Sequence, residues 1–377
     1  MKIAIVHDQL QEFGGAERVL VSLKKIFPQA DVFTAFYNPK KLGSFKHFVK
    51  GWKIKTSWAQ YIPFFKKFYS PLRFLAPQIW ESFDFTGYGL VISSSGWYMS
   101  KGIIIHPPTI HICYLHHPPR YLYGYETAVE WQKYWPVRIY AHIVNHRLRI
   151  WDYLSSERPN YFIANSEETK KRIQKLYRRN ATVIYPPVNI PSRIGTWNVE
   201  RGTYYITVSR LGRAKYIDIL IKAANKLKFN LKIVGAGRDE EYLKSIAGKT
   251  VEFLGNISDD EKAKLYKNAK AFLFASVDEE FGIAPVEAMG YGVPVIAFKS
   301  GGLIETVQEG VNGYLFEKLN ENSLIEKVKK LESLPKEKYL QMRKSARRIS
   351  ENFSEKKFKE RILEFVEKKA KIPRTRI

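Results

Sequence analysis

The sequence contains a single cysteine, and the lack of a second one excludes two kinds of site. An intrachain disulfide cannot form, and a zinc site built on several thiolates is excluded as well. Cys113 lies in the apolar run of residues 110–115, where a free thiol is most often a small core residue. This cysteine usage is typical of a reducing compartment, and we therefore predict a cytoplasmic protein.

Long hydrophobic runs are also absent. No window reaches the ~18 uninterrupted apolar residues that indicate a membrane-spanning helix. The apolar run at the N-terminus covers only residues 3–6, which is too short for the hydrophobic region of a secretory signal peptide. We therefore expect no spanning helix and no signal peptide, and we interpret residues 3–6 as a first strand.

Acidic residues are few, because the chain has 37 Asp and Glu against 62 Lys and Arg, a net charge of +25. This excess implies an anionic partner such as nucleotide phosphate, lipid headgroups or nucleic acid. It is largest in residues 40–80, which hold nine Lys or Arg, eleven aromatic residues and no acid. Such a composition suits a surface that binds an anionic membrane or a groove that binds single-stranded nucleic acid. The structural alternative is a packed rim, in which the aromatic residues belong to the core and the lysines are solvated around it. We favour the membrane surface over the packed rim, and we expect no nucleic acid partner.

The rest of the composition is that of an ordinary globular protein, with 45% apolar and 26% charged residues. A length of 377 residues is enough for two domains that each bury a core. Short apolar segments alternate with helical patterns, which is typical of doubly wound parallel sheets. In the second half the predicted strands are residues 204–208, 231–234, 251–254, 272–274 and 295–298. We place the domain boundary after Pro187, because the segment from there to Gly202 shows little periodicity.

Two glutamates eight positions apart, Glu279 and Glu287, follow the predicted strand 272–274. Pro285 favours the first position of a helix, which would place Glu287 in the first turn near unpaired N–H groups. Glu279 would lie in the preceding loop, so that the two carboxylates could reach different hydroxyls of one ligand. The alternative is that Glu287 only caps its own helix and that Glu279 is a solvated loop residue.

Polar residues follow three other predicted strands, at the edge where open α/β sheets bind ligands. Gly14 and Gly15 follow the first strand at a helix start suited to an anion, although the G-x-G-x-x-G fingerprint is absent. His116 follows a later strand of the first half, and its alternative role is structural. Arg210 and Lys215 follow the first strand of the second half and suit a diphosphate, unless they are merely solvated cations.

Residues 279–296 resemble the Glu-x7-Glu signature of family 4 of the retaining, nucleotide-sugar-dependent glycosyltransferases. Three shorter motifs resemble the same family, at residues 14–19, 114–122 and 210–215. The resemblance implies the α/β GT-B fold, in which two Rossmann-like doubly wound parallel-sheet domains face a central cleft.

The resemblance also implies roles for segments and residues. Residues 1–187 would bind the acceptor, residues 188–352 the nucleotide-sugar donor, and residues 353–377 would form a helix that crosses back to the first domain. Glu287 would hold the nucleotide ribose. The other residues implied to contact the donor are Gly14, Gly15, Gly235, Gly237, Gly255, Phe281, Gly282 and Ile283. Those implied to act in catalysis are His116, Arg210, Lys215 and Glu279.

The resemblance extends to the substrates. Residues 114–122 look like a variant found in GDP-mannose-dependent members of the family, which implies GDP-mannose as donor and an α-mannosyltransferase activity. The acceptor would be a glycan or a lipid-linked molecule. Separately from the resemblance, the composition of residues 40–80 leads us to expect peripheral attachment to the inner face of an anionic membrane. No Asp-x-Asp pair occurs to hold a divalent metal on the diphosphate. We therefore expect no metal and no cofactor, with the leaving-group charge met by Arg210, Lys215 and helix N-termini.

Other functions remain open on the sequence alone. The same fold serves enzymes that use UDP-sugars and enzymes with phosphorylase or epimerase chemistry, and a fold does not fix a function. A non-enzymatic, basic binder of membranes or nucleic acid is a further alternative. The joint presence of Glu287, Arg210 and Lys215 argues against that last possibility.

Overall fold

The computed structural model describes residues 1–126, 134–192 and 202–373. The chain divides into two compact units. The first unit comprises Met1–Tyr125, Trp131–Pro187 and Phe358–Ile377, and the second comprises Glu126–Glu130 and Val188–Lys357. The chain thus leaves the first unit at Pro187 and returns to it at Phe358.

Seven strands in the described part of the first unit form one parallel sheet, in the order β3-β2-β1-β4-β5-β6-β7. The strands are β1 (Ile3–His7), β2 (Asp31–Thr34), β3 (Ile54–Thr56), β4 (Leu90–Ser95), β5 (Ile110–Leu115), β6 (Tyr161–Ala164) and β7 (Ala181–Val183). β1, β4 and β5 are almost completely buried along their length, as expected for strands covered on both faces. The strand order reverses between β1 and β4, so the carboxyl ends of these two neighbours mark the topological switch point.

The helices that precede the boundary connect these strands. They are α1 (Gly15–Ile26), α2 (Phe65–Phe68), α3 (Ala76–Glu81), α4 (Arg120–Tyr123), α5 (Trp135–Ser155) and α6 (Glu167–Tyr177). α6 begins after Ser166, whose hydroxyl accepts a hydrogen bond from the Thr169 N–H at 3.0 Å. This side-chain cap satisfies one of the N–H groups that a helix start leaves unpaired.

Six strands in the described part of the second unit form another parallel sheet, in the order β10-β9-β8-β11-β12-β13. The strands are β8 (Tyr204–Val208), β9 (Leu231–Val234), β10 (Val251–Gly255), β11 (Ala269–Phe274), β12 (Val295–Phe298) and β13 (Gly313–Phe316). Here the order reverses between β8 and β11, which places a second switch point at their carboxyl ends. The prediction of two doubly wound parallel sheets is therefore confirmed.

The helices of the second half alternate with these strands. They are α7 (Ile217–Leu227), α8 (Glu240–Ser245), α9 (Asp259–Asn268), α10 (Ile283–Gly290), α11 (Leu303–Thr306), α12 (Glu321–Glu332), α13 (Lys336–Ser350) and α14 (Glu355–Lys369). From Phe358 onward α14 belongs to the first unit, where Phe358, Ile362 and Phe365 are buried in the same cluster as Ile3 and Ile5. The spacing of these apolar residues along α14 explains which face packs on the first sheet.

The basic, aromatic stretch of residues 40–80 divides into core and surface. Phe65 and Trp80 are buried, as the packed-rim alternative requires. Tyr61, Phe64 and Phe68 are exposed instead, which that alternative does not explain. Within the described ranges, no helix is long and apolar enough to cross a membrane.

Candidate active site

A chain of buried hydrogen bonds lies at the switch point of the first sheet. His7 ends β1, and its Nδ1 lies 3.0 Å from the Ser94 hydroxyl on the neighbouring strand β4. The same hydroxyl lies 2.7 Å from Nε2 of His116, just beyond β5. At the other end, Nε2 of His7 lies 3.3 Å from Oε1 of Glu17 on α1. None of the four residues is more than 8% exposed, so the hydrogen bonds are held inside the unit.

Glu17 also connects this chain to the glycine loop. Its second carboxylate oxygen, Oε2, accepts a hydrogen bond from the Gly14 N–H at 2.7 Å, and Gly14 is the residue that caps α1. A carboxylate at the third helical position that binds the capping N–H is the reciprocal half of a capping box. One side chain therefore positions both the start of α1 and the His7 ring.

The direction of the hydrogen bonds follows from the chemistry of the carboxylate. An ionised Glu17 can only accept, so Nε2 of a neutral His7 carries the proton and Nδ1 accepts from the Ser94 hydroxyl. The Ser94 oxygen then accepts from Nε2–H of His116, which leaves Nδ1 of His116 as its acceptor nitrogen. The main chain of His116 is fixed as well, because its carbonyl accepts from the Asn165 amide at 2.9 Å.

Asp8 fixes the loop that follows β4. Its Oδ2 accepts hydrogen bonds from the N–H groups of Gly96 and Tyr98, both at 2.9 Å. Its Oδ1 accepts from the N–H of Ser100 at 2.9 Å. A buried carboxylate with three backbone donors holds a loop in one conformation. Sequence reasoning singled out His116 and missed Asp8, although a polar residue at the end of a buried strand was an available signal.

The switch point of the second sheet brings together two of the residues assigned to catalysis. Lys215 follows β8 and Glu279 follows β11, and the Lys215 ammonium lies 2.5 Å from Oε2 of Glu279. The Ser276 hydroxyl donates to the same oxygen at 2.9 Å and lies 3.2 Å from the lysine nitrogen. These side chains remain partly exposed, 26% for the lysine and 18% for the glutamate. The pair is therefore accessible to a ligand, and Ser276 is a participant that the sequence did not reveal.

Glu287 does not lie where the sequence analysis expected it. Gly282 caps α10 and the helix begins at Ile283, so Pro285 occupies its third position and Glu287 its fifth. The first turn of α10 contains no acidic residue, and the expected placement of Glu287 there is wrong. The physical reason is that the first four N–H groups of a helix have no partner within it, so proline is tolerated beyond the first position.

Glu287 is instead held by a lysine on the neighbouring helix. Its Oε2 lies 3.0 Å from the Lys262 ammonium of α9, and Lys262 also pairs with Asp259 at 2.8 Å. Glu287 is only 5% exposed, so a cation beside it offsets the cost of burying its charge. Lys262 is a third residue that was not predicted from the sequence, because strand β11 lies between it and Glu287 in the chain.

Backbone contacts bring the loops after β8, β9 and β10 side by side. The Leu211 N–H donates to the Ala236 carbonyl at 3.0 Å, and the Gly235 N–H donates to the Gly255 carbonyl at 2.8 Å. At Gly235, φ is +124°, and a Cβ atom there would lie 2.0 Å from the Ser209 carbonyl oxygen. Only glycine permits this approach. The predicted Gly235, Gly237 and Gly255 loops are thus adjacent to the loop that carries Arg210.

A second glycine contact joins the loops after β11 and β12. A Cβ atom at Gly301, where φ is +55°, would lie 2.0 Å from the Glu279 carbonyl oxygen. The Gly302 N–H donates to that same carbonyl at 2.8 Å, and the Asp278 N–H donates to the Ser300 hydroxyl at 3.0 Å. These contacts fix the main chain of the Glu279 loop from behind while its carboxylate faces Lys215.

Phe281 contributes to this loop through its backbone. Its side chain is buried and packs edge-on against Phe353, with ring centroids 5.2 Å apart. The ring therefore anchors the start of α10, which leaves the main chain of Phe281, rather than its side chain, for a ligand. Among the described residues, no group of three or more His, Cys, Asp and Glu side chains is arranged to hold a metal ion.

The ion pair between Lys215 and Glu279 can therefore be replaced by contacts of each side chain with a ligand. Without a ligand, Lys215 and Glu279 satisfy each other, and a bound diphosphate could take the lysine because phosphate oxygens accept strong charge-assisted hydrogen bonds. The released carboxylate could then accept a hydrogen bond from a sugar hydroxyl. The helix that starts at Ile283 adds backbone N–H groups suited to an anion.

Solved structures with the same architecture include HepE of Anabaena in complex with UDP and glucose, with a TM-score of 0.71. It is 23% identical, and the alignment covers 98% of this chain and 100% of that chain. Sucrose-phosphate synthase from Thermosynechococcus elongatus has a TM-score of 0.73 at 17% identity, with 96% and 97% of the two chains covered. At these identities the likeness shows the fold, which is of the GT-B type.

Curated relatives match over part of their length. An uncharacterized glycosyltransferase of Methanocaldococcus jannaschii is 34% identical over 173 residues, which are 45% of this chain and 48% of the relative. The human alpha-1,3/1,6-mannosyltransferase ALG2 is 28% identical over 244 residues, 55% of this chain and 58% of the relative. The chain thus spans about half the length of these two relatives.

Two family models match consecutive parts of the chain. The model described as Glycosyltransferase Family 4 matches residues 13–191, and the model described as Glycosyl transferases group 1 matches residues 196–349. The first contains the glycine loop and His116, and the second contains the Lys215–Glu279 pair. With both halves matched in order on two doubly wound parallel sheets, this chain belongs to family 4 of the GT-B glycosyltransferases.

Proposed function

We propose that this protein transfers a sugar from a nucleotide sugar to a hydroxyl group of an acceptor, with retention of configuration at the anomeric carbon. The observation that carries the proposal is the pairing of Lys215 with Glu279 at the switch point of the second sheet. Residues 64 positions apart supply a cation and a carboxylate at the edge where open α/β sheets bind ligands. Family membership supplies the class of reaction.

The proposed mechanism assigns the leaving-group charge to cations of the chain. Arg210 and Lys215 bind the diphosphate, and their interaction strengthens as negative charge develops on the departing phosphate. The departing phosphate oxygen accepts the proton of the acceptor hydroxyl on the same face of the sugar, so no separate general base is required. Glu279, released from Lys215 and still held by Ser276, positions a sugar hydroxyl.

The donor we propose is GDP-mannose. Two observations support it: residues 114–122 resemble the motif of GDP-mannose-dependent members, and one relative is named as a mannosyltransferase. A UDP-sugar is the second candidate, because the structural neighbours were solved with UDP, UDP and glucose, or UDP-glucose. His116, which follows β5 and whose ring is oriented by Ser94, is the residue we propose to contact the sugar.

Thermal unfolding with added nucleotides tests the donor. A ligand that binds only the folded protein raises its unfolding free energy by about 2.7 kcal/mol at one hundred times its Kd. GDP and GDP-mannose should raise the melting temperature of the wild type, and UDP and UDP-glucose should raise it less. The shift should shrink in a Glu287→Ala variant if the nucleotide occupies the proposed site. A strong shift with UDP and none with GDP would replace GDP-mannose by a UDP-sugar and leave the transferase proposal intact.

A second measurement tests the reaction itself. Mass spectrometry of small molecules retained by the purified protein identifies the nucleotide sugar, and release of free nucleoside diphosphate on addition of an acceptor reports transfer. Product formation that requires inorganic phosphate instead of an acceptor would favour phosphorylase chemistry. The acceptor we propose is a glycan or a lipid-linked molecule at an anionic membrane surface, consistent with the net charge of +25.

A further inference from the structure

The exposed apolar side chains of the protein are concentrated in two segments of the first unit. Within the described ranges, 18 large hydrophobic side chains are exposed, and 13 of them lie in residues 58–74 or 134–154. Single exposed apolar residues are normal on a protein surface, but a cluster of this kind indicates an interaction site.

Helix α5 presents one face to the core and an opposite, apolar face to solvent. The buried face consists of Ala141, Asn145, Leu148, Asp152 and Ser155. The exposed face, called here the α5 stripe, consists of Trp135, Ile139, Ile143, Ile150 and Leu154. At 3.6 residues per turn these five positions fall within about 100° of arc, on the side opposite to the buried face. The stripe was not predicted from the sequence, because the buried face carries Asn145, Asp152 and Ser155 and the helix therefore departs from the usual amphipathic pattern.

The second segment adjoins α5. The Arg73 guanidinium donates to Oδ1 of Asn145 on α5 at 3.0 Å, which ties the turn before α3 to the helix. Next to this contact, a cavity of about 470 Å³ is lined by Phe74 from the turn and by Ile143 and Arg147 from α5. Phe74 and Ile143 are both exposed residues, so the two segments form one continuous surface there.

The residues just before this turn project aromatic rings into solvent. Tyr61 and Phe64 are 80% and 76% exposed. Phe64 has φ of +60°, a left-handed conformation that is a genuine outlier for a bulky residue and that precedes α2 directly. Strained residues of this kind persist where the surrounding structure imposes them and are frequent at functional positions.

The charge around these apolar residues has one sign. Residues 58–80 contain no Asp or Glu, and residues 134–154 contain only Asp152, which is buried. The cations in the same segments that are exposed or half-buried are Lys66, Lys67, Arg138, Arg147 and Arg149. Arg147 lies on one flank of the α5 stripe, and Arg138 and Arg149 lie on the other.

We propose that the α5 stripe and residues 61–74 form one docking surface that inserts into the interface of an anionic lipid bilayer. Apolar and aromatic side chains enter at headgroup depth while flanking cations bind the anionic headgroups, which is the composition of an interfacial helix. A second copy of the chain is a poor occupant, since it would bring the same cations face to face. The inference deepens the proposed function, which places the acceptor at an anionic membrane surface, by naming the residues that bind that surface. Its tests measure lipid binding alone, so they can fail without contradicting glycosyl transfer.

Co-sedimentation with vesicles tests the surface directly, with the full chain and no nucleotide present. Wild-type protein should bind vesicles of phosphatidylcholine mixed with phosphatidylglycerol, and should bind phosphatidylcholine alone much more weakly. An Ile139→Gln, Ile143→Gln variant should lower the partition coefficient about tenfold, because both side chains are already half exposed and lose only their contact with lipid. Salt should weaken binding of wild type by screening the cationic contribution.

The matched control changes exposed apolar residues elsewhere. Ile304→Gln with Val311→Gln removes two side chains of similar exposure from the second unit and should leave binding unchanged. Equal binding by wild type and the α5 variant, or an equal loss in the control, would overturn the proposal. Self-association of the wild type that disappears in the α5 variant would replace the bilayer by a second copy of the chain.

The single cysteine permits a second, independent readout. Cys113 is buried, and burial raises the pKa of its thiol to about 12, so it does not react with labels at neutral pH. A polarity-sensitive fluorophore attached to Ile139→Cys should therefore report one site, and its emission should shift to the blue on anionic vesicles. The same label on Ile304→Cys should not shift. A label at position 139 that stays in water while the protein sediments with vesicles would show that another surface binds the lipid.

Discussion

The carboxyl edges of the two sheets are built from different interactions, although each lies at a switch point of its own sheet. The edge of the first sheet is a closed chain of hydrogen bonds through Glu17, His7, Ser94 and His116, all buried. The edge of the second sheet is an ion pair, Lys215 with Glu279, whose members keep contact with solvent.

Buried hydrogen bonds and a partly exposed ion pair differ in how easily they can be broken. Buried hydrogen bonds are expensive to leave unmade, so the first edge should keep one geometry with or without a ligand. A partly exposed ion pair contributes little to stability, and its members can exchange partners at small cost. We therefore expect the first edge to position groups and the second edge to bind and neutralise charge. The predictions below test this division, beginning with the largest effect.

Removal of the cations of the second edge should reduce turnover most. Arg210→Ala and Lys215→Ala should each lower kcat by about 10²–10³-fold, because the leaving-group charge that they meet develops in the transition state. Lys222→Ala on α7 removes an exposed cation that pairs with Asp218 at 2.7 Å, and it should have no effect. Steady-state kinetics with saturating donor measure the difference. Near-normal turnover in the double variant would remove both residues from the mechanism.

Glu287 should affect binding of the nucleotide more than the chemical step. Glu287→Ala removes an acceptor from a buried position, and loss of a charged hydrogen bond should raise the nucleotide Kd about 10–100-fold with a smaller change in kcat. Asp259→Ala is the matched control, because it removes the other carboxylate bound to Lys262 and leaves Glu287 in place. Titration calorimetry with the nucleotide checks both variants. An equal loss in the control would mean that Lys262, rather than Glu287, contacts the ligand.

Local sequence signals predicted the second edge better than the first. The Glu279 to Glu287 motif is continuous in the sequence, and the apolar runs gave β8, β9, β10, β11 and β12 to within a few residues. β2, β3 and β13 were not predicted. The start of α6 carries a local sequence signal, since Ser166 caps the helix and Glu167 lies in its first turn.

The hydrogen-bond chain of the first edge could not be predicted in the same way. His7 and Ser94 are 87 positions apart, and only the pairing of β1 with β4 brings them into contact. The order of strands in a sheet is a tertiary property. No local sequence pattern therefore indicates that the Ser94 hydroxyl forms hydrogen bonds with two histidines. The Lys262–Glu287 pair escaped prediction for the same reason. Polar residues at the ends of buried strands were the usable signal, and it identified His116 alone.

Breaking the first edge should impair catalysis through geometry rather than charge. Ser94→Ala removes the hydroxyl that links His7 to His116, and we expect kcat to fall about tenfold as the His116 ring loses its fixed orientation. Nitrogen NMR of the labelled histidines should show that the His116 tautomer is no longer uniform.

The neighbouring Ser93 provides a matched control. Ser93→Ala removes an equally buried hydroxyl from the same strand, but this one binds Nε2 of His111 at 2.8 Å. A structural cost should appear in the unfolding of both variants, whereas the change in kcat and in the His116 tautomer should appear only in Ser94→Ala. If Ser93→Ala lowers kcat equally, the effect of Ser94→Ala is one of stability.

The smallest expected effect is a pH dependence of the unfolding free energy. It comes from His111, a buried histidine on β5 of the first sheet. Burial lowers the pKa of His111 from 6.5 to about 3, and the nearby charges of Lys101 and Arg158 act in the same direction. The unfolded chain therefore binds the proton first as the pH falls. The stabilising contribution is complete above about pH 6.5 and is lost progressively as the pH falls toward 3. Between pH 6.5 and 5.5 this residue should lower the unfolding free energy by about 1 kcal/mol, and by about 1.4 kcal/mol for each further unit.

His111→Gln isolates that contribution, because glutamine can still bind the Ser93 hydroxyl but does not titrate. Urea unfolding of both proteins at pH 7.0 and 5.5 should show that the wild type loses about 1 kcal/mol more than the variant. Lys299 and Glu317, an ion pair on the surface of the second unit, provide the contrast, since an exposed pair should add no comparable dependence in this range. An equal pH dependence in wild type and His111→Gln would mean that His111 accepts its proton within the folded protein. A buried histidine of the first sheet would then take up a proton without unfolding. The contrast between a first edge that keeps one geometry and a second edge that exchanges its charge partners would fail.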